Sequence, residues 1–163
     1  MKIDLRGVLA AEAIKIREAI AASDGKTTLA LPGVRLSDAG TIALANALRS
    51  SSYTTLDLDS TDITDVGVAA LANTLPHSNV TKLDLSCTAI TDVGVEALAT
   101  ALPALKLTGI NLFCTGITDA GARHLLAAIP RSRAPSLALC GTCLLYTSPS
   151  PRDRTRSRMP SSA

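Results

Sequence analysis

Aspartate recurs at Asp38, Asp65, Asp92 and Asp119, cysteine at Cys87, Cys114, Cys140 and Cys143, and histidine at His77 and His124. A row of carboxylates is chemistry for cations or proton transfer, paired thiols suit soft metals or disulfide exchange, and imidazole suits a general base. The context of each removes most of these uses. Every aspartate of the row follows a hydroxyl residue (Ser37, Thr64, Thr91, Thr118), the arrangement of a helix cap with an acid at the positive helix end. His77 and His124 have no repeated or paired carboxylate to make either a base, and both read as solvated surface residues. Cys140 and Cys143 form a C-x-x-C without a second Cys/His pair at zinc spacing, so zinc is rejected. Cys87 and Cys114 sit at one offset of neighbouring units, roughly 5 Å apart by inter-strand spacing. They read as small turn residues with reduced thiols, a disulfide being the alternative. The glycines recur singly, so no phosphate-cradling loop is present. No catalytic constellation, metal site or cofactor is expected.

The elements that hold these residues follow one beat of 27 residues: Leu-x-Leu, then Ile, then Asp-x-Gly, then Leu. The strand part falls at Leu29/Leu31, Leu56/Leu58, Leu83/Leu85, Ile110/Leu112 and Leu137/Leu139 without a slip. Tyr53 to Leu58 alternates apolar and polar, as a strand with one buried face does. After the cap, Val68, Leu71, Ala72 and Leu75 step by three and four along a helix that Pro76 ends. Gly40, Gly67, Gly94 and Gly121 are expected to let the helix approach the sheet closely. A fixed period of this length predicts an α/β solenoid, a parallel sheet on one side and helices on the other.

Leu83-Asp84-Leu85-Ser86-Cys87-Thr88-Ala89-Ile90, followed by Thr91-Asp92-Val93-Gly94 and Ala97-Leu98-Ala99, resembles the leucine-rich repeat, most closely the helix-bearing, ribonuclease-inhibitor-like class. The resemblance covers residues 27–142, four full units plus a fifth strand, and implies a horseshoe with a concave sheet that binds proteins. The chain departs from the family at the turn position that often holds Asn or Cys. Thr61, Thr88, Thr115 and Thr142 stand there, with Val34 in the first unit. A threonine hydroxyl can bond turn backbone and Val34 cannot, so the first turn is expected to be looser.

Residues 1–26 read as a degenerate first repeat or cap, with a strand at Ile3-Asp4-Leu5 and a helix from Ala10 to Ala22. Charges from Asp4 to Glu18 interrupt any secretory signal, and no stretch approaches a membrane span, so a cytoplasmic location is expected. The beat fails after Thr142: Tyr146 and Ser148 stand where Asp and Gly are due, and a Pro-, Ser- and Arg-rich segment follows. Residues 143–163 read as a disordered tail. They also resemble the one-frame translation of a transposase-type DNA sequencing adapter (Cys143 to Asp153) and a flow-cell primer (Ser157 to Ala163), separated by a sample index. The arginines at 152, 154, 156 and 158 would otherwise invite nucleic acid. Without the tail, four arginines and one aspartate are lost and the net charge of +2 becomes −1, which leaves no electrostatic case for nucleic acid or membrane.

The chain is 47% hydrophobic but 2% aromatic, so its core is aliphatic and its rare aromatics are conspicuous. On the outward face of the strands, Thr55, Asp57, Asp59, Lys82, Asp84, Ser86, Asn111 and Phe113 are the candidate partner-binding residues. Asp57, Asp84 and Asn111 should form a polar ladder, its charge partly offset by Lys82. Phe113, the chain's one phenylalanine, is an anchor or the cover of a further repeat in a longer array. The reading is a non-enzymatic protein–protein interaction module, a fragment of a longer leucine-rich-repeat protein. The alternative is part of a regulator, such as an immune-type sensor or a GTPase-activating protein.

Overall fold

In a computed structural model, the described residues are 8–23, 25–129 and the backbone of two strands at 136–140 and 145–147. Helices and strands alternate: α1 (Ala10–Ala22), β1 (Thr28–Ala30), α2 (Asp38–Leu48), β2 (Thr55–Asp57), α3 (Asp65–Thr74), β3 (Lys82–Asp84), α4 (Asp92–Ala101), β4 (Gly109–Phe113), α5 (Asp119–Ala128), β5 (Ser136–Cys140) and β6 (Leu145–Thr147). Strands β1 to β5 stack in sequence order as parallel neighbours. Their register equals the sequence period: Leu29 pairs with Leu56, Leu56 with Leu83, Leu83 with Ile110 and Ile110 with Leu137.

The core is the inner face of this sheet against the helices. Leu56, Leu58, Ile63, Leu71 and Leu75 are buried, as are Leu83, Leu85, Ile90, Leu98 and Leu102 at matching places one unit on. Tyr53, Val80 and Leu107 add a further buried row. Pro76 and Pro103 do not stop their helices abruptly. Each falls in a 3-10 turn, Leu75–His77 and Leu102–Ala104, that tightens the helix end before the chain turns back.

The turn threonines act as their chemistry suggests. Thr61, Thr88 and Thr115 donate from the hydroxyl to the carbonyls of Leu58, Leu85 and Leu112 at 2.8, 2.7 and 2.9 Å. In the first turn the backbone N–H of Val34 reaches Leu31 O at 3.3 Å instead, a longer closure of the same carbonyl.

The ends differ from expectation in one respect. α1 forms where a helix was expected and buries Ile16, while the Ile3–Leu5 strand lies outside the described residues. In the tail expected to be disordered, β6 pairs antiparallel with β5, joining Leu137 to Tyr146 in register. The open edge of β5 offers unpaired backbone groups to any extended segment that follows, and the β-favouring Tyr146 and Thr147 supply one. The rest of 141–163 lies outside the described residues.

Candidate functional site

The two faces of the solenoid use their polar residues differently. On the helix side, Thr64, Thr91 and Thr118 cap α3, α4 and α5, each hydroxyl accepting from the N–H two residues on. The aspartates after the caps go further than a helix-end role. Asp38 accepts from Thr64 N–H at 3.0 Å, Thr64 Oγ1 at 2.7 Å and Gly67 N–H at 3.0 Å, all in the following unit. Asp65 holds Thr91, and Asp92 holds Thr118, by the same N–H and hydroxyl pair. These carboxylates are staples between repeats. The hydrogen bonds from Thr118, hydroxyl first, hold the Asp92 carboxyl below the usual range against a smaller opposing effect of burial.

The staple corrects the reading of the glycines. A β-carbon at Gly67 would stand 2.7 Å from Asp38 Oδ1 and 2.9 Å from Ile63 Cγ2. Gly94 meets Asp65 in the same way, and Gly121 meets Asp92. At Gly67, Gly94 and Gly121 the missing side chain admits the preceding repeat's carboxylate, whereas at Gly40 it makes room for Leu36. In the first unit Glu12 of α1 takes the aspartate's place: its carboxylate accepts from Ser37 N–H and, at 3.1 Å, from Ser37 Oγ. Glu12 is only 6% exposed. Its longer side chain spans from a helix that is not a full repeat, which is why the 27-residue beat did not reveal it.

On the sheet side, the ladder Asp57, Asp84, Asn111 forms in register, between Ala30 and Ala138. Each of its three side chains accepts from the backbone N–H two residues on, Asp59, Ser86 and Phe113, at 3.1, 3.0 and 3.1 Å. Asn111 Nδ2 donates to Asp84 Oδ2 at 2.9 Å, tying two rungs together. Ser86, expected to meet a partner, is only 6% exposed. Its hydroxyl contacts Asp84 Oδ1 and lies 2.8 Å from Asp59 Oδ1, so it positions two carboxylates instead. Lys82 is exposed one row away, in register with Thr55 and Gly109, and forms no ion pair among the described residues. Phe113 ends β4 with 47% of its surface exposed. Thr28, Thr55, Asp57, Lys82, Asp84 and Asn111 line a shallow depression of about 500 Å³.

Three features escaped the sequence reading. Thr27, Thr54, Thr81 and Thr108 form a second ladder in which each hydroxyl from Thr54 onward donates to the carbonyl one unit back. Asn79 and Lys106 close carbonyls of Ser51 and Ser78 in the same manner. Ser60, Cys87 and Cys114 have positive φ of 55°, 52° and 53°, continuing the place of Gly33 at 65°. The thread common to all three is recurrence at 27 residues; the threonines keep their type, whereas the Asn79/Lys106 and Gly33/Ser60/Cys87/Cys114 rows change it from unit to unit.

Among the described residues, no group of three or more His, Cys, Asp or Glu could hold a metal ion. No helix there is long and apolar enough to cross a membrane. Residues 52–72 and 77–99 match the family model described as Leucine Rich repeat. No curated protein matches the chain. A solved structure of leiomodin-1, titled actin-binding site 2, is similar with a TM-score of 0.70 and 16% sequence identity, over 80% of each chain. The fold is an α/β leucine-rich-repeat solenoid.

Proposed function

We propose that this leucine-rich-repeat solenoid is a non-enzymatic module that binds a protein partner through its concave sheet face. One observation carries the reading: the two faces treat acids differently. Asp38, Asp65 and Asp92 on the helix side are consumed in joining repeats. Asp57 and Asp84 instead stand on an open sheet with Lys82 and Phe113, fixed in place by backbone and Asn111 bonds. Preorganised polar groups beside an exposed aromatic are what a protein interface uses, because little side-chain entropy remains to be lost on binding. The surface is acidic, so a partner segment with basic residues and an apolar contact for Phe113 fits it. In leiomodin-1 a similar solenoid is titled as an actin-binding site, which supports macromolecular binding as a use of the architecture.

The test is affinity capture by the wild-type chain and by Asp57→Lys, Asp84→Lys and Phe113→Ala, with purified actin as one defined arm. Partners held by the wild type should be lost or weakened by the variants, by about tenfold or more for a central anchor. Equal capture by all four chains, each shown to be folded, rejects the concave face. We also propose that residues 143–163 derive from a sequencing adapter. Different codons in the source gene would refute this.

A further inference from the structure

Cys87 and Cys114 stand together on the rim of the concave face, in a row that Gly33 and Ser60 begin. Their backbones are locked in register: Cys87 N–H donates to Phe113 O at 2.8 Å, and Asp84 pairs with Asn111 three residues before each. Parallel neighbours are about 4.8 Å apart, inside the Cα separation of roughly 4.4–6.8 Å that a disulfide spans. The Cys87 thiol has the Cys114 thiol, the Asp59 carboxylate and the Ser60 hydroxyl as its polar neighbours. Both cysteines are free and exposed. Both also hold a left-handed backbone that costs a non-glycine residue energy. A glycine would relieve that cost, as at Gly33, so the pair of side chains at two successive units calls for a use.

We propose that Cys87 and Cys114 are a thiol-modification site that reacts with low-molecular-weight disulfides and closes into an internal disulfide between adjacent repeats. One cysteine thiolate attacks the small disulfide, forming a mixed disulfide and expelling the first small thiolate. The second cysteine thiolate attacks the protein sulfur of that mixed disulfide, forming the Cys87–Cys114 bond and expelling the second small thiolate. The two protein thiols are oxidised by two electrons, one small disulfide is reduced to two thiols, and the two protons pass to the released thiolates. Burial, with the nearby Cys114 and Asp59, raises the Cys87 thiol above its ordinary value. The reactive thiolate is therefore scarcer near neutrality, and closure speeds up as the pH rises.

The experiment uses the full chain carrying Cys140→Ser and Cys143→Ser, with and without Cys87→Ser or Cys114→Ser. Each is incubated with oxidised glutathione, quenched with an alkylating reagent and digested with trypsin. Cleavage after Lys82, Lys106 and Arg123 puts the two cysteines on separate peptides. The expected result is a linked pair of peptides, with intact mass lower by two hydrogen atoms, while each single-cysteine variant stops at a stable glutathione adduct. Persistent adducts on the two-cysteine chain, links only between molecules, or thiols that all remain free for alkylation would overturn the proposal.

Discussion

Asp38 and Gly67 are 29 positions apart and meet at one hydrogen bond, the N–H of Gly67 donating to Asp38 Oδ1 at 3.0 Å. An Ala replacing Gly inside a helix ordinarily gains about 0.5–1 kcal/mol. Here Gly67→Ala should instead cost about 1–3 kcal/mol, because the new carbon overlaps the carboxylate and Ile63. Asp38→Ala should cost about 2 kcal/mol through its lost charged hydrogen bonds. In the double variant much of the Gly67→Ala penalty should vanish, and urea denaturation of all four chains measures this coupling. Additive effects would mean that the glycine does not make room for the staple. Asp92 supplies the pH counterpart. Its folded pKa is depressed, so its contribution is present above the ordinary carboxylate value and is lost as the pH falls through the lowered one. The urea midpoint of the wild type should thus fall with acidification below the ordinary carboxylate range, and Asp92→Asn should flatten that fall. The sequence made these aspartates visible as helix starts but hid the staple, because a cap is a local pattern whereas the carboxylate's partner is one repeat away.

At the level of elements, the strands and capped helices were legible because buried leucines and capping hydroxyls each recur in phase. Leu56, Leu83 and Ile110 are buried and in register as the period requires. What the pattern could not show was the ladder of Thr27, Thr54, Thr81 and Thr108, whose exposed or half-buried positions carry no hydrophobic signal. Nor could it show the left-handed bend at Ser60, Cys87 and Cys114, where only the first unit displays the telltale glycine. The cap helix α1 is joined to α2 by Glu12 in place of an aspartate. Glu12→Ala leaves the Ser37 N–H and hydroxyl without that acceptor. Hydrogen exchange of α1 amides should accelerate markedly, with a global loss of about 1–3 kcal/mol. Exchange in α4 and α5 should respond least, since neighbouring repeats couple most directly. Uniform acceleration across all helices would show that α1 is not a separable cap.

Across the whole molecule, repetition explains both stability and the division of faces. Neighbouring units join through a strand register, a carboxylate staple on the helix side and shared leucines, while on the sheet's outer side Ser86–Asp59 and Asn111–Asp84 bonds fix the acids in place. The candidate site was legible there only in part. Alternation along the strands placed Thr55, Asp57, Lys82, Asp84, Asn111 and Phe113 outward, but it could not reveal that Ser86 is buried as a support for the acids. Hydrogen–deuterium exchange of the chain alone and with a captured partner bears most directly on the proposed function. Protection centred on the segments 55–60, 82–87 and 109–114, with little change in α2 to α5, is the predicted result. Protection confined to the helices, with those strand segments unchanged, would contradict binding through the concave face.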